Sequence, residues 1–159
     1  MKNRLAILVA GLLATVQVQA AELDKELVGD WLSLCKKASG NYLQVTSSFT
    51  ADGDYTAKTV FYTDAECKRT MGMEVISSGK YRLGESVSAE GGESARQIDI
   101  DVHELRSGDM QLPGGKQKIL QIITIIDGKL IFGDAPGIQA VTKGERPQKL
   151  NHTFYSRKQ

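Results

Sequence analysis

Three polar residues that could bind a metal or exchange protons alternate along one predicted strand. Asp99, Asp101 and His103 are each two positions apart, so a strand places them on one face, with neighbouring side chains about 7 Å apart. At this spacing two carboxylates and an imidazole could hold a divalent metal or form an acid–base pair. The same pattern is typical of a charged strand face in contact with water, and we favour that interpretation. We therefore predict neither a metal site nor a catalytic residue here.

The second histidine, His152, lies between Leu150 and Phe154 on one face of the last predicted strand. A histidine among apolar neighbours is more often a hydrogen-bonded interior residue than a catalyst. A hydrolase or metal enzyme could use Asp101, His103 and His152, but the sequence contains no serine nucleophile elbow and no zinc-ligand spacing. We expect a protein that is not an enzyme and uses no cofactor.

Residues 1–20 have the pattern of a secretory signal peptide. Lys2 and Arg4 precede an apolar run of about a dozen residues, which ends in a small-x-small cleavage pattern. The run is shorter than the roughly 20 apolar residues that span a bilayer. We expect cleavage after Ala20 and a single mature domain, residues 21–159, that is periplasmic or secreted and has no transmembrane segment.

The charge of the mature chain is nearly balanced. The chain has 20 basic and 19 acidic residues, and the predicted signal peptide removes Lys2 and Arg4. Nothing in this balance favours nucleic acid or an anionic membrane as a partner.

The two cysteines of the chain, Cys35 and Cys67, both lie in the predicted mature domain. In an oxidising compartment the default expectation is a disulfide between them. A Cys-based metal or redox site is the alternative, but there is no C-x-x-C motif and no histidine nearby in the sequence.

Most of the mature chain alternates between apolar and polar residues, as strands do. Asp52-Gly53 and Asp127-Gly128 are typical hairpin turns. Strands are predicted over residues 42–50, 55–63, 74–83, 96–105, 118–126, 129–132 and 150–157, after a short helix at 21–27 and a strand that begins at Gly29. Residues 86–94 and 133–147 are predicted loops. The pattern indicates an all-β antiparallel meander of about eight strands that closes into a barrel.

Gly29-x-Trp31 at the start of the first strand is similar to the opening of lipocalin-type (calycin) barrels. This likeness implies that Trp31 closes one end of the barrel and that Arg157, near the end of the last strand, packs across the indole. Gly29, Trp31 and Arg157 are therefore the expected barrel-closing residues.

A wider set of residues resembles the adenomatosis polyposis coli down-regulated domain family. The matching positions are Gly29-x-Trp31-x-Ser33-x-Cys35, Tyr42-Leu43, Phe49, Tyr62-Thr63-Asp64-x-x-Cys67 and Gly79-x-Tyr81. The resemblance covers residues 27–83 and implies an extracellular lipocalin-like barrel with an apolar cavity for acyl chains or lipid-modified proteins. The chain departs from the family at Lys36, where the family has Glu, and at Val45, where it has Arg.

The leading hypothesis is a lipocalin-like protein that binds a small hydrophobic or acyl ligand inside the barrel. The residues expected to point inward and line the ligand site are Leu43, Val45, Ala57, Phe61, Ile100, Ile123 and Phe154. Small side chains at Ser47, Ala57 and Thr59 would leave room for a cavity. The alternative is a periplasmic inhibitor or envelope-stress protein with a filled barrel, whose loop 86–94 or 133–147 binds an envelope protein such as a lysozyme or protease.

Overall fold

A computed structural model of the chain describes residues 23–134 and 145–159, the side chain of His152 excepted. The predicted signal peptide, most of the predicted loop 133–147 and the predicted position of the His152 side chain lie outside the described residues. No helix in the described ranges is long and apolar enough to cross a membrane.

One short helix and ten strands make up the described structure. The helix α1 covers residues 23–27. The strands are β1 (Gly29–Ser33), β2 (Lys36–Ala38), β3 (Asn41–Phe49), β4 (Asp54–Tyr62), β5 (Thr70–Ser88), β6 (Ser94–Ser107), β7 (Met110–Gln111), β8 (Gln117–Ile126), β9 (Lys129–Gly133) and β10 (Leu150–Arg157). The predicted all-β class, with a brief helix ahead of the strands, is confirmed.

The sheet closes into an antiparallel barrel of eight strands, as predicted. The neighbours run β1-β10-β9-β8-β6-β5-β4-β3, and β3 pairs back onto β1. Strand β1 therefore has a partner on each side: Trp31 lies opposite Arg157 of β10 and opposite Ser47 of β3. The short strands β2 and β7 lie outside this ring and pair with β3 and β6.

The predicted loop at residues 86–94 is mostly a hairpin. Strand β5 continues to Ser88, and β6 begins at Ser94, with Val87 opposite Ala95. The Gly, Ser and Glu content of the segment indicated a loop. However, Val87 and Ala95 pack against buried Ile122 on the outside of the barrel, and this apolar contact favours continued pairing.

The helix and Trp31 close one end of the barrel. The indole Nε1 of Trp31 donates a 2.8 Å hydrogen bond to the carbonyl oxygen of Leu27, and both side chains are buried. The guanidinium of Arg157 lies 4.6 Å from the centre of the Trp31 ring. It also donates to the carbonyl oxygens of Val28, at 2.9 Å, and Glu26. One cation therefore holds the last strand, the indole and the end of the helix together.

Gly29 makes room for this arrangement. Its φ of +131° is one that residues with a Cβ rarely adopt. A Cβ built there would lie 2.5 Å from Nη1 of Arg157. The structure thus brings Gly29, Trp31 and Arg157 together at the closed end.

Replacing Arg157→Met should lower the free energy of unfolding by about 2 kcal/mol, because it removes a cation–π contact and charged hydrogen bonds at an exposed site. The exposed neighbour Lys158 provides the control, and Lys158→Met should change stability by less than about 0.5 kcal/mol. Urea unfolding followed by Trp31 fluorescence measures both. Equal stability of the two variants would show that Arg157 does not fasten the closed end.

The predicted disulfide is confirmed: Cys35 and Cys67 are bonded, with Cα atoms 5.8 Å apart. Cys67 lies in a turn organised by the buried side chain of Asp64. This carboxylate accepts hydrogen bonds from the backbone N–H groups of Arg69, Lys68 and Glu66. These bonds, that of Arg69 above all, hold the pKa of Asp64 below its usual value.

Loss of the disulfide should lower the free energy of unfolding by about 3–4 kcal/mol, since the bond closes a loop of 32 residues in the unfolded chain. The double variant Cys35→Ser/Cys67→Ser, compared with the oxidised protein by urea unfolding, tests this. A reducing agent should not change the free energy of unfolding of the double variant. The same reducing agent should lower the free energy of unfolding of the native protein to about the value of the double variant. An oxidised protein no more stable than the double variant would contradict the prediction.

Candidate functional site

The barrel contains a cavity of about 360 Å³. Its lining combines apolar, aromatic and neutral polar side chains with one lysine. The lining residues are Lys36, Val45, Ser47, Tyr55, Ile100, Gln117, Ile119, Gln121, Phe132, Gly133, Asn151, Thr153 and Tyr155. This volume lies within the range of about 300–1,000 Å³ that is typical of small-molecule sites.

The cavity extends toward the end of the barrel away from the helix. Helix α1 and Trp31 cover the end at which β3 and β10 finish. Gln117 and Asn151 lie where β8 and β10 begin, at the opposite end, and Lys36 lies opposite Leu43 near the start of β3. The most polar part of the lining is therefore at this opposite end, which we call the mouth.

Apolar and aromatic side chains form the deeper walls. Val45, Ile100 and Ile119 come from three different strands, and alternation directs all of them inward. The rings of Phe132 and Tyr155 meet edge to face, with centroids 5.1 Å apart. This contact joins two large side chains of neighbouring strands in one wall of the cavity.

Tyr55 is the most strongly buried titratable group of the lining. Burial raises its pKa to about 12, and the nearby Tyr155 adds to the effect. Burial also raises the pKa of Tyr155 itself. Both phenols are therefore neutral at physiological pH, and the interior of the cavity carries no negative charge from them.

Gln121 holds strands β8 and β9 together where their regular pairing ends. Its side-chain Nε2 donates to the carbonyl oxygen of Gly133 at 3.1 Å, and its Oε1 accepts from the N–H of Gly133 at 2.9 Å. A Cβ at Gly133 would lie 2.5 Å from that Oε1. The side-chain amide of Gln121 thus bonds to both backbone groups of Gly133 in place of a residue of β8, and it connects β8 and β9 where their backbone pairing has ended.

The structure distributes the predicted inward residues over several levels of the barrel. Val45 and Ile100 line the cavity. Ala57 and Ile123 belong to the buried core. Leu43 and Phe61 lie opposite each other, and alternation from Val45 places them on the inner face; they are partly buried and lie outside the cavity lining.

Phe154 corrects the prediction, because its side chain lies on the outer face of the barrel. The register pairs Tyr155 with the buried core residue Leu130, so Tyr155 points inward and its neighbour Phe154 points outward. The Nζ of Lys129 lies 4.3 Å from the centre of the exterior Phe154 ring. Phe154 and Tyr155 are adjacent, so only one of them can point inward, and the register of β10 against β9 places Tyr155 on the inner face.

Sequence reasoning missed the polar half of the lining. Apart from the small residues Ser47 and Thr59 it took only apolar residues as inward, whereas Asn151 and Thr153 share the inner face of β10 with Tyr155. Alternation counted from Tyr155 instead of Phe154 would have identified both. Nothing in the sequence pattern indicated that Lys36 or Gln121 would line the cavity.

The carboxylates considered for metal binding are paired with cations on the outer face. Asp99 contacts Arg146 at 2.5 Å and Lys118 at 3.6 Å, and Asp101 contacts Arg82 at 3.6 Å and Lys118 at 3.9 Å. Burial alone would raise the pKa of Asp99, but Arg146 and Lys118 together hold it below its usual value. Within the described ranges no three His, Cys, Asp or Glu side chains form a group that could hold a metal ion.

Arg146 also attaches the end of the long connection to the barrel. Its guanidinium donates to the carbonyl oxygens of Ile98, at 3.1 Å, and Gln121, at 2.5 Å. The described part of this connection is thereby fixed on the outside of the barrel, behind the wall that Gln121 completes.

Comparison with known proteins provides no functional assignment. No protein-family model matches the chain, and no curated protein is significantly similar to it. The function must therefore be inferred from the site.

Tyr55 should make the protein sensitive to alkaline pH. An unfolded tyrosine has a pKa of about 10, and the folded value is about 12. The contribution of this phenol to stability is therefore complete below pH 10 and is lost as the pH rises toward 12, by on the order of 3 kcal/mol. Urea unfolding between pH 8 and 12 should show a shallower loss for Tyr55→Phe than for the native protein. Identical pH dependence of the two would contradict this assignment.

Proposed function

We propose that the chain is a secreted or periplasmic, non-enzymatic binding protein that holds a small hydrophobic or acyl ligand in its barrel. The observation that carries this proposal is the cavity of about 360 Å³, with Val45, Ile100, Ile119 and Phe132 in its walls. Barrels of eight strands are either filled by side chains or hold one small ligand. This barrel is filled at the end closed by Trp31 and hollow toward the other.

The hollow has a definite structural origin. Small inward side chains at Ser47 and Ala57 lie directly opposite each other on β3 and β4, and Ser47 lines the cavity. Phe132 of β9 and Tyr155 of β10 line the same cavity. An apolar chain placed here would exchange water for contacts with carbon atoms, which is favourable in proportion to the apolar area buried.

The proposed location rests on separate features. The signal-peptide pattern around Lys2 and Arg4 directs export, and the disulfide between Cys35 and Cys67 is of the kind that persists in oxidising compartments. The resemblance of residues 27–83 to an extracellular lipocalin-like family points in the same direction.

The alternative, an inhibitor that binds an envelope protein through its loops, gains less support. The tip of the hairpin at residues 89–93 is held by backbone hydrogen bonds. The N–H of Ala89 donates to the carbonyl oxygen of Glu93, and the N–H of Glu90 donates to the carbonyl oxygen of Gln148. A loop held in this way could still bind an enzyme cleft, since a rigid loop loses little entropy on binding, but the cavity is a positive observation that favours ligand binding inside the barrel. Inhibition of a lysozyme or protease panel by the purified protein would favour this alternative.

Filling the cavity should abolish ligand binding. In Val45→Trp the indole would occupy the hollow, so we expect the affinity for decanol, measured by titration calorimetry, to fall at least about tenfold, with a stability cost of about 1–3 kcal/mol from overpacking. Thr46→Trp is the matched control, because the neighbouring residue points to the outer face of β3, and it should bind as the native protein does. Circular dichroism establishes that both variants fold.

Two results would contradict the proposal. One is a native protein that binds no decanol and carries no lipid when isolated from the cell envelope and examined by native mass spectrometry. The other is equal binding by Val45→Trp and Thr46→Trp, which would place the ligand outside the barrel.

A further inference from the structure

The described lining of the cavity carries a cation at the mouth and no anion. Among the described residues, Lys36 is the one lining side chain with a full charge, and no carboxylate lines the cavity. The remaining polar lining groups are hydroxyls and amides, including Gln117 and Asn151 at the same end. The cavity is therefore electrostatically asymmetric, with its positive charge at the mouth.

Lys36 is the lysine that lines the cavity, and it differs from three lysines on the outside of the barrel that have carboxylate partners. Lys58 and Lys80 each contact a carboxylate, at 2.5 Å and 2.6 Å, and Lys118 contacts two. Within the described ranges no carboxylate lies within ion-pair distance of Lys36; its Nζ lies 5.6 Å from the centre of the Tyr155 ring.

The ammonium of Lys36 is partly removed from water. The residue is half-buried, and this burial lowers its pKa. A partly desolvated cation without a counter-ion is unfavourable, and a bound anion would relieve that cost through a charge-assisted hydrogen bond. The amides of Gln117 and Asn151 can donate additional hydrogen bonds at the same end of the cavity.

We propose that the ligand is an amphiphile with an anionic headgroup, a carboxylate or a phosphate monoester, bound by Lys36 at the mouth with its alkyl chain between Val45, Ile100 and Phe132. This inference rests on the proposed function and gives the ligand a class and a direction: headgroup outward, tail toward Trp31. A cationic amphiphile of the same length is disfavoured, since its headgroup would meet the ammonium of Lys36.

Titration calorimetry with decanoate, decyl phosphate and decanol separates the headgroup from the chain. The native protein should bind the two anions at least about tenfold more tightly than decanol, because a charge-assisted hydrogen bond at a partly buried site contributes this much. Lys36→Met keeps most of the unbranched side chain and removes the charge. It should weaken the binding of the anions about tenfold and so remove the preference of the protein for anions over decanol.

Two variants of β2 control the experiment. Lys37→Met removes an equal charge from the exposed neighbour, which lies opposite Tyr42 and outside the cavity lining, and it should bind all three ligands as the native protein does. Lys36→Arg should restore most of the preference for anions. The relative affinities of decanoate and decyl phosphate then distinguish a fatty acid from a phospholipid-like headgroup.

The outcomes separate the two proposals. If the native protein binds decanol as tightly as the anions, or if Lys36→Met leaves anion binding unchanged, the headgroup assignment is overturned and the hydrophobic binding function stands. If the native protein binds none of the three ligands, both proposals are overturned. If Lys36→Met and Lys37→Met weaken anion binding equally, the effect is one of overall charge and the headgroup assignment is again overturned.

Discussion

The pairing of β1 with both β10 and β3 is the constraint on which the rest of the structure depends. This strand has only five residues, yet it removes both open edges of the sheet, which would otherwise offer unpaired backbone groups to other chains. So short a strand needs additional fastening. Trp31 fastens β1 to the helix through its hydrogen bond to Leu27. Arg157 fastens β10 to both, because its guanidinium lies over the indole and donates to the carbonyl oxygen of Val28 after the helix. Because this fastening fills one end of the barrel, any internal space must open at the other.

Small irregularities in the strand pairing lie at the border of that space. The pairing of β10 with β9 shifts between Leu150 and Phe154, in the segment where polar Asn151 and Thr153 line the cavity. At nearly the same level, β8 and β9 separate, and the side chain of Gln121 closes the gap that opens between them. The space itself is left by small inward side chains such as Ser47 and Ala57, and these local departures from regular pairing shape its border.

The sequence predicted the strands more fully than the site because the two depend on different information. Alternation along β3 and β6 is local, as are the Asp-Gly turns, and so the all-β barrel could be predicted from short windows. The orientation of β10 is not local: Phe154 and Tyr155 suit the inner face equally well, and only the distant partner Leu130 decides between them. The hairpin at 86–94 likewise depends on Ile122, a residue far along the chain. Lys36 belongs to a strand of three residues, too short for any periodic pattern to show which way it points.

The disulfide connects the chemistry of the mouth to the fold. Cys35 directly precedes Lys36, and its bond to Cys67 ties the start of β2 to the turn that Asp64 organises. The side chain of a lysine on a three-residue edge strand would otherwise turn outward and place its ammonium in water, because a flexible four-carbon side chain gains entropy and hydration there. With its backbone held at Cys35 and its ammonium near the ring of Tyr155, Lys36 stays at the cavity. The same covalent bond that closes the loop between Cys35 and Cys67 thus helps to fix the position of the one fully charged side chain in the described lining of the cavity.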